Sequence, residues 1–364
     1  MTKTLSHVVI GAGAGIFKGH QKGLDLDTTN LVAVSDLNAE IGQQRADEAG
    51  CAFFLNHRAM VGEMKPDVAV VITPHPFHAS ITIDCLQAGC HVLVEKPIAV
   101  QVAEADAMIE AASAADRLLA VNFQQRFRPQ VVAIRKLIQS GQLGEIQHVN
   151  MAATWTRTAR YFEFAGWRGT WKGEGGGVLM NQAPHNLDML CYLVGQPSRV
   201  AAWTRTNLHK IETEDTVQAM LEWPNGAMGS LHISTAEAGT PSLLEITGTG
   251  GIVRWNHEGL HYQQFVPDIR THILESENPY SPPQLQPVDI TVEEARADHY
   301  AVYQNFHSAI LNDTPLFADG VAARMSLELA NAMIYSSHRG EMVEMPLDRG
   351  KYSALLDELV HGSS

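Results

Sequence analysis

The first third of the chain is predicted to form a parallel sheet covered by helices. Short apolar runs alternate with helix-like stretches, and the runs are continuous in valine, isoleucine and leucine. Continuous apolar runs are typical of strands that are covered on both faces. The predicted strands are Val8–Ile10, Leu31–Ser35, Val68–Thr73, Val92–Val94 and Leu119–Asn122, and Ala103–Ala115 is predicted as a helix. The pattern indicates a doubly wound α/β domain over residues 1–122.

The rest of the chain has a different pattern. Val217–Trp223 and Ala227–Ile233 alternate apolar and polar residues, and the turn signal Pro224-Asn225-Gly226 separates them. Alternation predicts a large open, mostly antiparallel sheet with one packed face and one free face. The sequence also predicts helices at Glu293–Leu311 and Val321–His338 and a surface loop at Asn278–Pro287. We therefore expect a second, α+β domain over residues 123–364 that binds substrate and forms a homo-oligomer through its free face.

Composition narrows the possible partners. The chain has 364 residues and a formal net charge of −14, which argues against a nucleic-acid partner because phosphate binding needs a basic surface. The apolar runs are too short to span a membrane, and the N-terminal residues lack the pattern of a secretion signal. The four cysteines lack metal-binding spacing and suit reduced thiols. These features predict a cytoplasmic protein without a membrane or nucleic-acid partner.

A glycine-rich turn follows the first strand. Gly11-Ala12-Gly13-Ala14-Gly15-Ile16-Phe17 stands where a dinucleotide-binding fold places the cofactor pyrophosphate, close to the next helix's N-terminus. Ile16 occupies the place of the third glycine of the usual G-x-G-x-x-G pattern. The alternative is a tight turn of purely structural importance. We expect Gly11, Gly13, Gly15, Ile16 and Phe17 to lie at the cofactor.

Asp36 ends the second predicted strand, roughly 20 residues beyond the glycines. An acidic side chain at this place accepts hydrogen bonds from the adenosine ribose and repels a 2′-phosphate. Asp36 therefore predicts NAD in preference to NADP. The alternative is that Asp36 caps the following helix.

Polar residues follow two further strands. Thr73-Pro74-His75-Pro76-Phe77-His78 ends one strand at the carboxyl edge of the sheet, where ligands bind in such folds, and Glu95-Lys96-Pro97 ends another. About ninety residues later comes a glycine run followed by Asn181 and His185. A lysine at a strand end and a histidine on a helix can meet over a substrate.

With these motifs the chain resembles the Gfo/Idh/MocA oxidoreductase family over nearly its whole length. Further matching segments are Ala88–Pro97, Asn122–Pro129, Gly141–Ile146, Trp167-Arg168 and Gly175–Asp188. The resemblance implies a Rossmann domain, a nicotinamide cofactor, and Lys96 and His185 facing the reacting carbon. The cofactor-binding residues expected on this basis are Thr73, Pro74, His75, His78, Glu95, Lys96, Gln124, Trp167 and Arg168. The expected substrate-binding residues are Lys96, Arg126, Tyr161, Trp167, Arg168, Asn181 and His185.

The chemistry of alcohol oxidation agrees with this assignment. The reaction needs hydride delivery to the nicotinamide and removal of the hydroxyl proton, for which an acid/base group and a cation near the developing alkoxide suffice. We assign His185 as the proton acceptor and Lys96 as the orienting cation, although the two roles could be exchanged. Asn181 stands where many family members have aspartate, and we expect it on the same helical face as His185, orienting the substrate. The structural alternatives are a surface lysine and a buried core histidine.

One metal motif is rejected. His257-Glu258-Gly259-Leu260-His261 matches H-E-x-x-H, a zinc-binding pattern that requires a helix. The flanking residues predict two strands joined by a turn, on which the imidazoles would not converge. No metal site is therefore predicted, and His75 and His78 are expected to line the cleft.

The predicted function is transfer of a hydride between NAD(P) and a secondary alcohol or ketone of a sugar, anhydrosugar or cyclitol. One alternative keeps the cofactor but regenerates it internally, through elimination, glycoside cleavage or reduction of a second sugar. Another is a sugar- or nucleotide-sensing regulatory protein that has lost catalysis.

Overall fold

The computed structural model describes residues 3–362, which begin with a six-stranded parallel sheet. Its strands are β1 (Leu5–Ile10), β2 (Thr29–Ser35), β3 (Ala52–Phe54), β4 (Val68–Val71), β5 (His91–Val94) and β6 (Leu119–Val121). The strand order is β3-β2-β1-β4-β5-β6. This order reverses direction between β1 and β4, and ligands bind at that point of doubly wound sheets, beyond the carboxyl ends of the strands. The predicted parallel sheet is confirmed, although the sequence pattern missed the short strand β3.

Helices surround this sheet. They are α1 (Phe17–Leu24), α2 (Ala39–Ala49), α3 (His57–Met64), α4 (His78–Gln87) and α5 (Val102–Ala115). The side chains of β4 are fully buried, as expected for a strand covered on both faces. A later helix also packs here, since Tyr303 and Phe306 are buried in the core beside Phe17. The division of the chain at residue 122 remains a prediction.

The second sheet is open and mixed. Its strands are β7 (Ile146–Thr154), β8 (Arg199–Arg205), β9 (Thr216–Glu222), β10 (Met228–Ser234), β11 (Leu243–Gly248), β12 (Gly251–Asn256), β13 (Gly259–Val266), β14 (Gln284–Val288) and β15 (Val343–Glu344). The strand order of this sheet is β14-β13-β12-β11-β7-β10-β9-β8-β15. Among its described strands, β7 and β10 pair in parallel and all other neighbours pair antiparallel. The predicted mostly antiparallel sheet is confirmed.

Two local predictions were wrong. β14 overlaps the end of the predicted loop Asn278–Pro287. Its main chain pairs with β13, but every one of its side chains is exposed, so the sequence has no buried face to indicate a strand. The helix predicted from Glu293 begins at His299, because residues 293–296 are exposed and have no apolar side to bury. The helix predicted at Val321–His338 is confirmed.

The remaining helices follow the first sheet in the chain. They are α6 (Pro129–Gln139), α7 (Ala159–Glu163), α8 (Trp171–Glu174), α9 (Val178–Asn181), α10 (Pro184–Val194), α11 (Ile269–Glu275), α12 (His299–Asn312), α13 (Gly320–Arg339) and α14 (Arg349–Gly362). Among them, α12 packs against α1 beside the first sheet. Ser336 on α13 accepts a hydrogen bond from the Ala202 amide of β8, which fixes this helix on one face of the sheet. Within residues 3–362, no helix has the length and apolarity required to cross a membrane.

Candidate active site

A cavity of about 590 Å³ lies between the two sheets and contains the three residues predicted to be catalytic. Lys96 follows β5, Asn181 is the last residue of α9, and His185 is in the first turn of α10. Further lining residues are Gln125, Arg128, Trp155, Arg157, Tyr161, Gln182, Trp255 and His257. The volume is within the range of small-molecule sites.

Lys96 is held from the opposite half of the chain. Its Nζ donates a hydrogen bond to the main-chain oxygen of Asn181 at 2.7 Å. Burial lowers the pKa of Lys96 below its ordinary value, and the carboxylates of Glu95 and Glu174 oppose this shift. Lys96 and His185 both line the cavity.

His185 is a neutral imidazole in the wall of the cavity. Burial, and next the positive charge of Lys96, lower the pKa of His185 to about 3, so the imidazole is neutral near pH 7. Its ring packs edge-on against Phe123 at a centroid distance of 5.8 Å. The Nδ1 atom is buried and has no hydrogen-bond partner within residues 3–362. A neutral, partly unpartnered imidazole can take a proton from a substrate hydroxyl.

Two buried glutamates position Asn181, one by contacting its side chain and the other by contacting the beginning of its helix. Its Nδ2 donates to Glu174 and its Oδ1 accepts from the Tyr161 hydroxyl at 3.1 Å. Glu214 accepts from the amides of Gly177 and Leu179 at the beginning of α9. We expected Asn181 and His185 on one helical face, which is wrong, because α9 ends at Asn181 and Pro184 starts a separate helix.

The glycine-rich turn contacts Asp36, the residue that directly follows β2. Gly11 has φ +92°, and a Cβ there would lie 3.0 Å from Thr73, so a side chain would obstruct the turn. Gly13 donates its amide to Asp36 Oδ2 at 2.7 Å. The cap of α2 is Asn38, not Asp36, so the capping alternative for Asp36 is wrong. Gly15 has open space around it.

Several predicted cofactor residues have polar atoms that need a partner. Thr73 Oγ1 and Gln124 Oε1 are buried and lack a hydrogen-bond partner in the described part of the chain. Thr73 follows β4 and Gln124 follows β6, both at the carboxyl edge of the parallel sheet. Unsatisfied buried oxygens are costly unless a ligand binds them. Together with the open glycine turn, these residues fit a dinucleotide at this edge.

A polar cluster surrounds Glu95 and was not identified from the sequence. His20 Nε2 lies 2.9 Å from Glu95 Oε1, and His299 Nε2 lies 3.6 Å from the same oxygen. Asn122 donates to Glu95, and Tyr303 contacts the other nitrogen of His20. Burial alone would raise the pKa of Glu95, but the contacts with His20 and His299 and the charge of Lys96 lower it well below its ordinary value. The cluster could not be predicted, because α12 brings His299 and Tyr303 in from about 200 residues away.

Arg126 and His78 are among the predicted site residues that do not line the cavity. Arg126 is 1% exposed and forms two hydrogen bonds with Asp188, of 2.6 and 2.8 Å. His78 is fully buried, with its two ring nitrogens 2.8 Å from the main-chain oxygens of Pro97 and Thr73. Both side chains are engaged in internal contacts, so neither is retained as a ligand-binding residue.

The aromatic residues divide between the cavity and its wall. Tyr161 lines the cavity. The Arg168 guanidinium lies 4.2 Å from the centroid of the Tyr161 ring and does not itself line the cavity. Trp167 packs edge-on against His75 at 5.7 Å. Sequence reasoning missed Trp155 and Trp255, which line the cavity from the ends of strands, because isolated aromatic residues carry no motif.

The rejected zinc motif lies on a hairpin. β12 ends at Asn256 and β13 begins at Gly259, so the turn is as predicted. His257 lines the cavity while His261 is exposed. The two imidazoles are therefore not presented on one helical face, as the zinc pattern requires.

The fold and the site define a dinucleotide-dependent oxidoreductase class: a Rossmann sheet, a glycine turn, and a lysine and a histidine meeting in a cavity beside it. The sequence profile for an oxidoreductase family with an NAD-binding Rossmann fold matches residues 5–123, and the GFO/IDH/MocA C-terminal domain profile matches residues 131–254. The chain belongs to the Gfo/Idh/MocA family of oxidoreductases.

Several characterised proteins are similar to this chain. D-glucoside 3-dehydrogenase of Escherichia coli is 33% identical over 59% of this chain and 61% of its own length. Levoglucosan dehydrogenase of Pseudarthrobacter phenanthrenivorans is 27% identical over 62% of this chain and 64% of its own length. The crystal structure of the WlbA dehydrogenase of Bordetella pertussis, in complex with NADH and UDP-GlcNAcA, has a TM-score of 0.81 at 29% identity and covers 95% of this chain and all of its own. The matched region of this chain thus spans less than two thirds of the length of the glucoside dehydrogenase and of the levoglucosan dehydrogenase.

Proposed function

We propose that this protein is an NAD-dependent dehydrogenase or reductase acting on a secondary hydroxyl, or the corresponding ketone, of a sugar, anhydrosugar or cyclitol. The observation that carries the proposal is the meeting of Lys96 and His185 in one cavity at the carboxyl edge of the parallel sheet. Alcohol oxidation requires these two kinds of group, a cation and a proton acceptor, at the reacting oxygen.

The residues would divide the reaction as follows. The residues at the carboxyl edge of the parallel sheet would hold the nicotinamide cofactor, which would supply the acceptor for the hydride of the carbinol carbon. The neutral His185 takes the hydroxyl proton, and Lys96 stabilises the negative charge that develops on the oxygen. Asn181 offers a fixed amide oxygen to a neighbouring substrate hydroxyl. In the reducing direction His185 returns the proton to the carbonyl oxygen.

Asp36 supports a preference for NAD over NADP. Its carboxylate already accepts hydrogen bonds from the amides of Gly13 and Asn38, which hold it against the glycine turn. A fixed negative charge at this position would repel a 2′-phosphate. Thr73, Pro74, His75, Glu95 and Gln124 are the other residues that we propose beside the cofactor.

The cavity lining supports a ring-shaped polyhydroxylated substrate. Trp155, Tyr161 and Trp255 offer flat apolar surfaces, while Gln125 and Arg157 offer hydrogen-bond donors. The similar proteins named above are dehydrogenases of a glucoside and of levoglucosan, which agrees with this class of substrate.

We also propose a homo-oligomer and a cytoplasmic location. Trp203, Met220 and Met228 are about half exposed on the outer face of the open sheet, and an apolar patch of this kind is typical of a subunit interface. None of the four cysteines is in a disulfide, as is usual in the reducing cytoplasm.

The test is NADH absorbance when the protein and NAD are mixed with a panel of glycosides, anhydrosugars, aldoses and cyclitols. Turnover should be lost in Lys96→Met and His185→Asn and retained in two controls, Lys136→Met and His261→Asn, which replace exposed residues of the same types. Tight NAD retention without net reduction would favour internal cofactor regeneration instead. NAD binding without any chemistry would favour a sensor.

A further inference from the structure

Glu174 is a carboxyl group with an unusual environment beside the site. It ends α8, its side chain is 1% exposed, and it does not line the cavity. Oε2 accepts the Gly169 amide at 2.5 Å, and Oε1 accepts from Asn181 Nδ2. Burying a carboxyl group is costly, so its position calls for a role that an apolar residue could not fill.

The Asn181 amide is oriented by this contact. An ionised carboxylate can only accept hydrogen bonds, so the amide NH₂ must face Glu174 and the amide oxygen must face away. That oxygen accepts from the Tyr161 hydroxyl at 3.1 Å, and the same hydroxyl accepts from Gln182 Nε2 at 2.8 Å. The main-chain oxygen of Asn181 accepts from Lys96. Glu174 therefore controls a residue that touches both the cavity and Lys96.

Charged groups surround Glu174 on several elements. The neighbouring titratable or charged side chains are His75, Lys96, Arg168 and Glu214, and Glu212 accepts a hydrogen bond from the Trp171 amide at the beginning of the same helix. Burial raises the pKa of Glu174 to about 7, against the hydrogen bonds from Gly169 and Asn181 and the positive charge of Arg168. The charge at this position is thus sensitive to small changes around neutral pH.

We propose that Glu174 is a positioning residue of the redox reaction, acting through Asn181 to orient the amide oxygen toward the substrate and, through the negative charge of its own carboxylate, to stabilise the Lys96 ammonium. The proposal rests on the dehydrogenase function proposed above. It also explains why asparagine suits position 181: an aspartate there would place two carboxylates in contact, each raising the free energy of the other's charged form.

A double-mutant cycle tests the pairing. Glu174→Gln should lower kcat about tenfold or more with little change in NADH affinity, and Asn181→Asp should do the same. The double variant Glu174→Gln, Asn181→Asp restores a pair of an amide donor and a carboxylate acceptor with the roles reversed. Its kcat should be about tenfold higher than that of Asn181→Asp alone. Glu163→Gln replaces an exposed glutamate nearby as the control. Additive losses in the double variant would overturn the proposal.

The pH profile separates positioning from simple structural support. In wild type, kcat for alcohol oxidation should rise as the pH passes about 7, because ionised Glu174 orients the amide. That step should vanish in Glu174→Gln. A step that persists unchanged in this variant would assign it to another group and overturn the role of Glu174.

A readout without substrate distinguishes this proposal from the proposed function. Competitive labelling of lysines with acetic anhydride, followed by mass spectrometry, reports the titration of Lys96 against exposed Lys136. In wild type we expect the labelling of Lys96, plotted against pH, to deviate from a single titration near pH 7, because ionised Glu174 stabilises the Lys96 ammonium. In Glu174→Gln we expect the pKa of Lys96 to fall. A single unperturbed curve in wild type overturns the proposal even if the variant does not fold. The labelling shift without turnover on any substrate would instead remove the dehydrogenase.

Discussion

Lys96 and Asn181 are 85 residues apart in the chain, and a hydrogen bond of 2.7 Å joins the Lys96 Nζ to the Asn181 main-chain oxygen. The bond connects the end of a strand of the parallel sheet to a helix of the second half. Because a main-chain oxygen is the acceptor, the identity of the residue at 181 does not determine this contact, whereas the presence of α9 does.

Replacement of Lys96 by methionine should lower kcat by about 100-fold or more, because the cation at the reacting oxygen is lost. Methionine keeps the apolar stem of the side chain, so the packing around it should be preserved. We expect the dissociation constant for NADH, measured by fluorescence, to change only a few-fold. Lys96→Arg is a useful companion, because it keeps the charge but not the compact geometry. Turnover close to wild type in Lys96→Met would exclude the residue from catalysis.

Asp36→Ala should weaken NAD binding by about tenfold, because the ribose acceptor and the hydrogen bond to Gly13 are both lost. Asp36→Asn is the matched variant, since it can still accept the Gly13 hydrogen bond while removing the charge. We expect this variant to improve NADP binding relative to NAD in calorimetric titrations. An unchanged NAD affinity in Asp36→Ala would mean that the carboxylate only supports the turn.

Asp188→Asn should cost about 3–5 kcal/mol of unfolding free energy in urea denaturation, because it leaves the buried Arg126 guanidinium without its counter-charge. The paired change Arg126→Met, Asp188→Leu should recover much of that loss. A rise in KM for Arg126→Met without loss of stability would instead return Arg126 to the substrate site.

Acid should destabilise the protein through a buried histidine pair. His7 and His307 are joined through their Nε2 atoms at 2.9 Å, and burial lowers the pKa of His7 to about 4 and that of His307 to about 3. The two neutral histidines contribute fully to the free energy of unfolding above pH 6.5, the pKa of histidine in the unfolded chain. This contribution is lost as the pH falls toward their pKa values in the folded protein. For His7 alone the loss is about 3 kcal/mol at pH 4.

Thermal or urea unfolding between pH 7 and pH 4 measures this effect. The variant His7→Asn, His307→Asn should have a smaller decrease in stability over that interval than wild type. His261→Asn, which replaces an exposed histidine, should retain the wild-type decrease. Equal slopes in all three proteins would show that the pair does not contribute.

Light scattering after size exclusion should give a mass that is a multiple of 39.8 kDa. Met220→Glu places a charge in the centre of the exposed apolar face and should dissociate the assembly or lower its stability against dilution. The control is Ile273→Glu, which replaces an apolar side chain of α11 that is 71% exposed and is not part of the sheet. A monomeric wild-type protein would contradict the proposed oligomer.

The sequence alone determined the elements whose signal is local. The apolar runs of β1, β4 and β5 are covered on both faces and therefore lack alternation, which identified a parallel sheet. The glycine turn after β1 and the Glu-Lys-Pro end of β5 were recognisable because backbone geometry and strand ends restrict which residues can stand there. Lys96 and His185 were predicted by motif, and the structure brings both into one cavity.

Tertiary structure decided what depends on contacts between distant segments. Arg126 has the sequence character of a ligand-binding residue, yet Asp188 neutralises it in the core, and no local pattern reports that partner. Glu174 reads as an ordinary helix-end glutamate until Gly169 and Asn181 enclose it. His299 reaches Glu95 only because α12 returns to the first sheet. Local sequence restricts backbone conformation, whereas burial and pairing of charges depend on which segments meet, and the folded chain alone sets those.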